Sequence, residues 1–511
     1  MDSTMLWILG TFVAYMTMML LIGVAYMKTG NSSEDYFLGG RSLGGWVVAL
    51  SAQASDMSGW LLMGLPGSVY ALGTGQCWIA VGLFLGTVAN WLIISGRLRR
   101  YTIVANNSLT LPAYFENRFH DKKRILLGSS SVIIMIFFLV YTASAFASGG
   151  KLFSSVFNCS YHLSLTISFL IILGYTFLGG FMAVCTTDFI QGMLMLVALL
   201  VVPIVAYALM GGNMAGALEQ TGVAASDFMN VMRNGDRNFT AVEIISQLAW
   251  GLGYCGMPHI LVRFMAVKNQ KELNKSKGIA IVWVILSLFM AVVIGVVGRA
   301  YLFPTVLGAD GGSTETVFIE MITKIFTKDL RLPIVAGLFL CGILAAIMST
   351  ADSQLLVTAS SMSEDIYKGI LKKNASEESV MKVSKFTVIG VAVVAYIIAW
   401  NPNSSIMGLV SNAWAGLGAA FGPTVLMSLF WKRCNLPGAV AGIISGGLTV
   451  IVWDYIPLAA GQTLGTVTGL YSLAIGFLIS IVLIVIVSLC TKAPDAAILA
   501  EFDRVASDEE I

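Results

Sequence analysis

Three stretches of this sequence place polar or helix-breaking residues inside long apolar runs. The first, GGWVVALSAQASDMSGWLLMGLPGSVY, crowds Ser51, Gln53, Ser55, Asp56, Ser58 and Gly59 into its centre, and Pro66 follows. An ionised Asp56 facing lipid would cost at least about 2.5–3.5 kcal/mol, so its carboxylate is expected to face a polar interior. Alternating small and polar residues also weaken a helix. A break there frees N–H and C=O groups that only a cavity tolerates. The second stretch, AVEIISQLAWGLGYCGMPHILVRFMA, is interrupted by Gly251, Gly253, Gly256 and Pro258, with Trp250 and Tyr254 flanking the glycines. The groups on offer are free backbone dipoles, aromatic faces and one carboxylate, which suit binding rather than bond breaking. Each interruption read alone is a plain kink; at matching places in two halves of a chain, they point to a transporter binding site.

The third stretch is LPIVAGLFLCGILAAIMSTADSQLLVTASSMSEDIYK. Ala345, Ala346, Ser349, Thr350 and Ser353 recur at spacings of three and four, on one helical face. Small residues in such a stripe let helices approach closely, which is one reading. The other is a site for a small hard cation, which takes several oxygen ligands and no soft ones. The Ser349 and Thr350 hydroxyls and the Ala346 carbonyl would supply oxygens, with carbonyls freed near Ala54 and Met57 completing the set. Both readings stand at this point.

The elements that must carry these residues follow from composition. Of 511 residues, 57% are hydrophobic and 11% charged, where soluble domains carry about 25% charge. That excludes an ordinary soluble enzyme, a disordered chain and a disulfide scaffold, and a net charge of +2 gives no bias towards nucleic acid. The seven cysteines form no CxxC pair and read as small apolar residues. The three histidines make no paired-ligand pattern, and no nucleophile–base pair stands out, so no catalytic activity is expected.

Apolar runs long enough to span a bilayer fall near 4–27, 43–70, 75–96, 125–150, 163–180, 187–211, 240–263, 278–301, 332–360, 385–401, 406–431, 437–457 and 469–491. The first has no basic flank or cleavage site and reads as a retained span. These runs predict an all-α, multi-pass membrane protein of about 13 helices forming one transport domain over 1–511. Helix 4–27 is peripheral, repeats cover about 43–211 and 240–431, helices 437–491 are peripheral again, and 492–511 is a tail. Five spans per repeat make the second copy inverted. With the N-terminus outside, 23 of the 30 Lys and Arg fall in inside loops and 7 outside. The positive-inside rule then places the N-terminus outside and the tail in the cytoplasm. Of the two longest outer segments, about 212–239 and 302–331, the second contains ETVFIEMITKIF with Val317, Met321 and Ile325 on one face. It reads as an amphipathic helix lying on the outer surface, or as an outer lid.

The runs SAQASDMSGWLLMGLPG, LGGFMAVCTTDFIQG, LAWGLGYCGMPHILVRFMA and GLFLCGILAAIMSTADSQLLVTASSMSEDIYK, in this order, resemble the sodium:solute symporter family, and in particular its proline-carrying bacterial members. The likeness runs from about residue 5 to 490. It implies thirteen spans, an inverted-repeat core of the leucine-transporter type in the cell membrane, and sodium-driven import of L-proline. Position by position, it implies a sodium site at Ala54, Met57, Ala346, Ser349 and Thr350. It implies roles in sodium dependence or coupling for Asp56, Arg41 and Asp188, and contacts to proline from Ser58, Gly59, Tyr141, Trp250, Tyr254 and Pro258. The partners implied are L-proline, co-transported sodium and the bilayer, with no nucleic acid and no obligate protein partner. Met257 departs from the glutamine expected in its turn, and Asp352 and Ser353 from the neutral small residue and cysteine expected after the Ser-Thr pair. Proline chemistry fits these positions: a half-helix N-terminus suits its carboxylate, and an aromatic wall suits its ammonium and ring. Another small solute, a proton in place of sodium, or a channel or sensor built on the same core are the rival readings. A sensor would need a signalling domain for which the tail after Lys492 leaves little room.

Overall fold

The computed structural model describes residues 3–26, 33–177, 180–308, 313–459 and 461–507. Met27 and Lys28, Leu178 and Gly179 of the turn motif, and residues 508–511 of the tail lie outside that set.

The principal helices are α1 (Ser3–Tyr26), α2 (Gly45–Asp56), α3 (Leu65–Leu72), α4 (Cys77–Ala89), α5 (Ile125–Phe157), α6 (Tyr161–Thr176), α7 (Phe181–Leu209) and α8 (Ala241–Leu248). There follow α9 (Pro258–Met265), α10 (Gln270–Tyr301), α11 (Pro333–Ser360), α12 (Glu377–Ile398), α13 (Ile406–Phe430), α14 (Leu436–Tyr455), α15 (Ser472–Cys490) and α16 (Ala496–Ala506). Among the described residues, ten helices are long and apolar enough to cross a membrane, and Trp60–Leu72 and Tyr161–Thr176 are shorter apolar helices. The chain is a multi-pass membrane protein. Phe386 (73% exposed) and Ile397 (64%) are large apolar side chains left uncovered, whereas Asp188, Ser349, Thr350 and Asp352 are fully buried. A polar interior under an apolar rim is the arrangement a hydrocarbon surround demands.

The polar cluster at 51–59 breaks its helix as anticipated. α2 ends at Asp56, Met57 leaves helical geometry at φ −82°, ψ 76°, and the Ser58 N–H turns back to the Asp56 carbonyl at 3.0 Å. A π-helical turn, Trp60–Gly64, then leads into α3. In the second stretch, Thr240 and Glu243 form a reciprocal capping box that starts α8. A 3₁₀ segment, Ala249–Gly256, follows. Met257 is extended (φ −83°, ψ 105°), and Pro258 opens α9 at the position where its missing N–H is harmless. Glycine allows the close approaches at both breaks. A Cβ on Gly59 would stand 2.2 Å from Ser148 Oγ, and one on Gly253 would stand 2.0 Å from Trp414 Nε1.

α2 packs among α7, α9, α10 and α11, and the 3₁₀ segment lies between α4 and α13. α14 and α15 pack on each other and on α13 at the periphery.

Several boundaries differ from expectation. α7 begins at Phe181, so Asp188 sits two turns inside the helix rather than at its start. α11 continues as a π-helical segment to Leu371. The segment after residue 312 is not an amphipathic helix on the surface. Val317, Phe318, Ile319, Met321, Ile322 and Ile325 are all fully buried, so more than one face is covered. Arg263 and Lys151, counted above as loop charges, are buried in ion pairs with Asp188 and Glu315.

Candidate functional site

The break after α2 and the stripe on α11 meet. Ser58 N–H bonds to Asp56 O instead of continuing the helical ladder, which leaves the Ala54 carbonyl available. Ser349 Oγ donates to it at 2.8 Å and Thr350 Oγ1 lies 3.5 Å away. The same hydroxyl oxygens also lie 3.2 and 3.1 Å from Ala346 O, so each single O–H proton is shared between two carbonyls. Four of the five expected oxygens therefore converge in a fully buried spot. The fifth, the Met57 carbonyl, accepts no hydrogen bond from the described residues. The Met57 side chain points elsewhere: its sulfur accepts from Trp283 Nε1 at 3.0 Å and Ser287 Oγ at 3.3 Å. Uncharged oxygens from a helix end and two hydroxyls are donors for a hard monovalent or divalent cation. Among the described residues no His, Cys, Asp and Glu cluster of three or more could hold a transition metal.

Asp56 does not join this oxygen cluster. Its Oδ2 accepts the Tyr254 hydroxyl at 2.5 Å, and its buried Oδ1 has no hydrogen-bond partner among the described residues. The carboxylate thus links the two broken helices. Tyr141 lies beside Asp56, Ser58 and Trp60, and His259 packs edge-on against Tyr141 at 6.0 Å, with neither ring nitrogen hydrogen-bonded among the described residues. Buried polar groups are normally satisfied, so such a concentration marks a place for a polar ligand or water. Ser58 Oγ is within 3.5 Å of the Trp60 N–H. Pro258 opens α9 and lines a separate small cavity with Thr110, Leu111, Phe181 and Val262.

Trp250 and Gly59, also expected to contact the substrate, have the following neighbours. Trp250 stacks on Tyr471 at 5.2 Å, and its carbonyl accepts from Trp414 Nε1 at 2.8 Å. It faces the peripheral helix α15, while Tyr254, one turn on, faces Asp56. Gly59 is explained by its tight fit against Ser148.

Arg41 is remote from both clusters in its contacts. Its guanidinium donates to Asn107 Oδ1 at 2.8 Å, Met265 O at 2.5 Å and Ser108 O at 3.0 Å. It clamps the end of α9 to the 105–108 loop. Beside it, Leu43 and Val267 form a parallel backbone bridge, so the ends of the two broken helices are tied at this face.

A second clamp, missed in the sequence, closes the opposite face. Glu315 Oε1 accepts the backbone N–H groups of Ile406 and Met407 at 2.8 and 3.2 Å, capping α13. Its Oε2 takes Lys151 Nζ at 2.6 Å. Gly67 of α3 packs beneath it, where a Cβ would stand 2.8 Å from the Glu315 Cα. The apolar run around it hinted at a buried segment, but a lone glutamate in a long loop gives no sign of a cap 91 residues away.

Comparison with known proteins agrees with this architecture. The model of the sodium:solute symporter family matches residues 36–446. The chain is 44% identical to the sodium/proline symporter of Staphylococcus aureus, covering 96% of this chain and 94% of that protein. It is 45% identical to the high-affinity proline transporter PutP of Bacillus subtilis (strain 168), covering 95% and 98%. It is 43% identical to the osmoregulated proline transporter OpuE of the same organism, covering 94% of each. A solved structure of a Na+-coupled sialic acid symporter superposes with a TM-score of 0.79 at 21% identity, covering 96% and 98% of the two chains, and shares the fold.

Proposed function

The chain belongs to the sodium:solute symporter family and is a transporter rather than an enzyme, and on that premise we propose that it imports L-proline with sodium by alternating access. The observation that carries the sodium half is the meeting of Ala54 O, Ala346 O, Ser349 Oγ and Thr350 Oγ1 at the break in the first core helix. The proline half is supported by relatives at 43–45% identity that are named as proline transporters. It is supported also by Asp56, which links the two breaks and has one carboxylate oxygen without a partner among the described residues.

In this reading sodium takes the oxygens of Ala54, Met57, Ala346, Ser349 and Thr350. Ser349 and Thr350 each retain a back-bond to Ala346, which leaves hydroxyl lone pairs for the ion. Binding there ties α2 to α11 and settles the geometry of the break. The adjoining segment then presents Asp56, Ser58, Tyr141, Tyr254 and the start of α9 at Pro258 to the substrate. The free N–H groups of a half-helix suit the proline carboxylate, and Asp56 with the aromatic faces suits its ammonium. A membrane potential adds about 2.3 kcal/mol per charge per 100 mV to inward sodium movement. One cluster of neutral oxygens accounts for one sodium per proline.

Thirteen spans follow if α2 with α3 and α8 with α9 each count as one broken crossing. Spans two to six and seven to eleven then form the inverted repeats, with peripheral helices α1, α14 and α15. The Arg41 face is the cytoplasmic one, where the basic loops collect, and the Glu315 face is the outer one. Opening outward requires Glu315 to leave α13; opening inward requires the Arg41 clamp and the Leu43–Val267 bridge to part.

The test is uptake of radiolabelled L-proline into cells expressing the chain, with a panel of unlabelled amino acids as competitors, in sodium and in potassium media at one pH. Proline is expected to compete best and potassium to abolish uptake. Equal uptake in both media would refute sodium coupling, and a better competitor would reassign the substrate.

A further inference from the structure

Arg263 on α9 has a side chain only 1% exposed, and neither cluster described above uses it. Its Nε donates to Ser51 Oγ at 3.0 Å, and its Nη1 to the His259 carbonyl at 2.5 Å. Its Nη2 donates to Asp188 Oδ2 at 3.0 Å and to Ser353 Oγ at 2.6 Å. Ser51 also donates to Asp188 Oδ2, at 2.6 Å. One guanidinium therefore gathers α2, α7, α9 and α11.

Two arms lead from it to the cation oxygens. On α11, Ser353 Oγ donates to the Ser349 carbonyl at 2.8 Å, and Ser349 Oγ reaches Ala54. On α2, Ser51 stands one turn before Ala54. The arms hold the two walls of the oxygen cluster from one rigid, planar fork. A lysine could not do this, because it offers a compact charge on a flexible stem.

We infer that Arg263 is a positioning residue for sodium. Its fork sets the spacing of α2 and α11 that brings Ala54, Ala346, Ser349 and Thr350 together, and Asp188 is its counter-ion rather than a ligand of the transported ion. This inference rests on the sodium reading above. It gives the buried Asp188 a physical role, since a guanidinium buried without a partner is strongly destabilising. It also accounts for Ser353 beside the Ser-Thr pair, because only a side chain that both accepts and donates can relay between Arg263 and the Ser349 carbonyl.

The experiment measures binding of radiolabelled sodium to the purified full-length protein in detergent, without proline. Proline binding at saturating sodium is measured in parallel. The variants are Ser353→Ala, Ser353→Thr, and the charge-neutral double variant Asp188→Asn with Arg263→Gln. Ser353→Ala and the double variant are expected to raise the sodium dissociation constant about tenfold, the scale of a lost hydrogen bond to a charged group. Ser353→Thr, which keeps the hydroxyl, should restore it. Proline binding at saturating sodium should stay within about threefold. If Ser353→Ala and the double variant both bind sodium as the parent does, the network is packing and the inference fails. If the double variant does not fold, the Ser353 pair decides alone. A parent that binds sodium but not proline overturns the substrate reading while the same variants still judge Arg263. A parent that binds no sodium overturns both.

Discussion

The Tyr254 hydroxyl donates to Asp56 Oδ2 across 2.5 Å and so fastens the 3₁₀ segment of the second broken helix to the end of the first. A ligand that binds between the breaks must work against or through this bond. Tyr254→Phe removes the donor and leaves both oxygens of a buried carboxylate without a hydrogen bond from the described residues. A loss of about 1–3 kcal/mol is expected, or about 5-fold to 150-fold in proline affinity. Sodium binding without proline should change much less. Equilibrium binding of labelled proline checks this, and an unchanged dissociation constant would make Tyr254 a packing residue.

Trp250 should behave differently from Tyr254. Its ring lies against Tyr471 rather than towards Asp56. Trp250→Ala is expected to lower thermal stability, as loss of a large buried aromatic costs about 3–5 kcal/mol. Trp250→Phe, which retains a stacking face, should bind proline within about threefold of the parent. Thermal unfolding in detergent, with proline binding alongside, separates the two effects.

Thr350 distinguishes a cation ligand from helix packing. Thr350→Ser keeps the oxygen that lies 3.5 Å from the Ala54 carbonyl, whereas Thr350→Val keeps only the shape. The sodium concentration for half-maximal uptake should rise tenfold or more in Thr350→Val, at about 1.4 kcal/mol per decade. Thr350→Ser should be mild. Sodium and proline must strengthen each other's binding by the same factor, so apparent proline affinity in Thr350→Val should recover at high sodium. Equal behaviour of the two variants would return this stripe to ordinary packing.

The Glu315 clamp is expected to gate the face proposed above as the outer one. Its carboxylate joins Lys151 to the first amides of α13. Glu315→Ala strands a buried ammonium, a change on the order of 3–5 kcal/mol, and should shift the protein towards outward-facing states. The joint variant Glu315→Gln with Lys151→Met should be closer to the parent. A cysteine introduced at Ser68 should then react faster with an impermeant thiol reagent in Glu315→Ala than in the parent. Equal rates would show that the clamp does not gate.

Much of this arrangement was legible because membranes punish polar groups. Asp56 among small polar residues, and the glycines before Pro258, stood out against apolar runs, and both became breaks. The Ser349–Thr350 stripe was visible as a helical period. What stayed hidden depends on contacts far apart in sequence. Arg263 read as a charge of the following loop because it lies near the end of an apolar run, and only its meeting with Asp188, 75 residues away, shows it to be internal. Glu315 looked like one more polar residue in a long segment, since side-chain caps from distant loops leave no local pattern. Trp250 and Tyr254 share a motif, yet a 3₁₀ turn sends their rings to different neighbours.

The central claim is that a sodium gradient drives proline uphill through this chain. The direct measurement is accumulation of labelled L-proline in proteoliposomes of the purified protein, with equal pH on both sides and an inward gradient of either sodium or potassium. Proline should rise above its external concentration only with the sodium gradient, and collapse when an ionophore dissipates that gradient. Proline that merely equilibrates, or that accumulates with an imposed proton gradient and no sodium, would contradict the account.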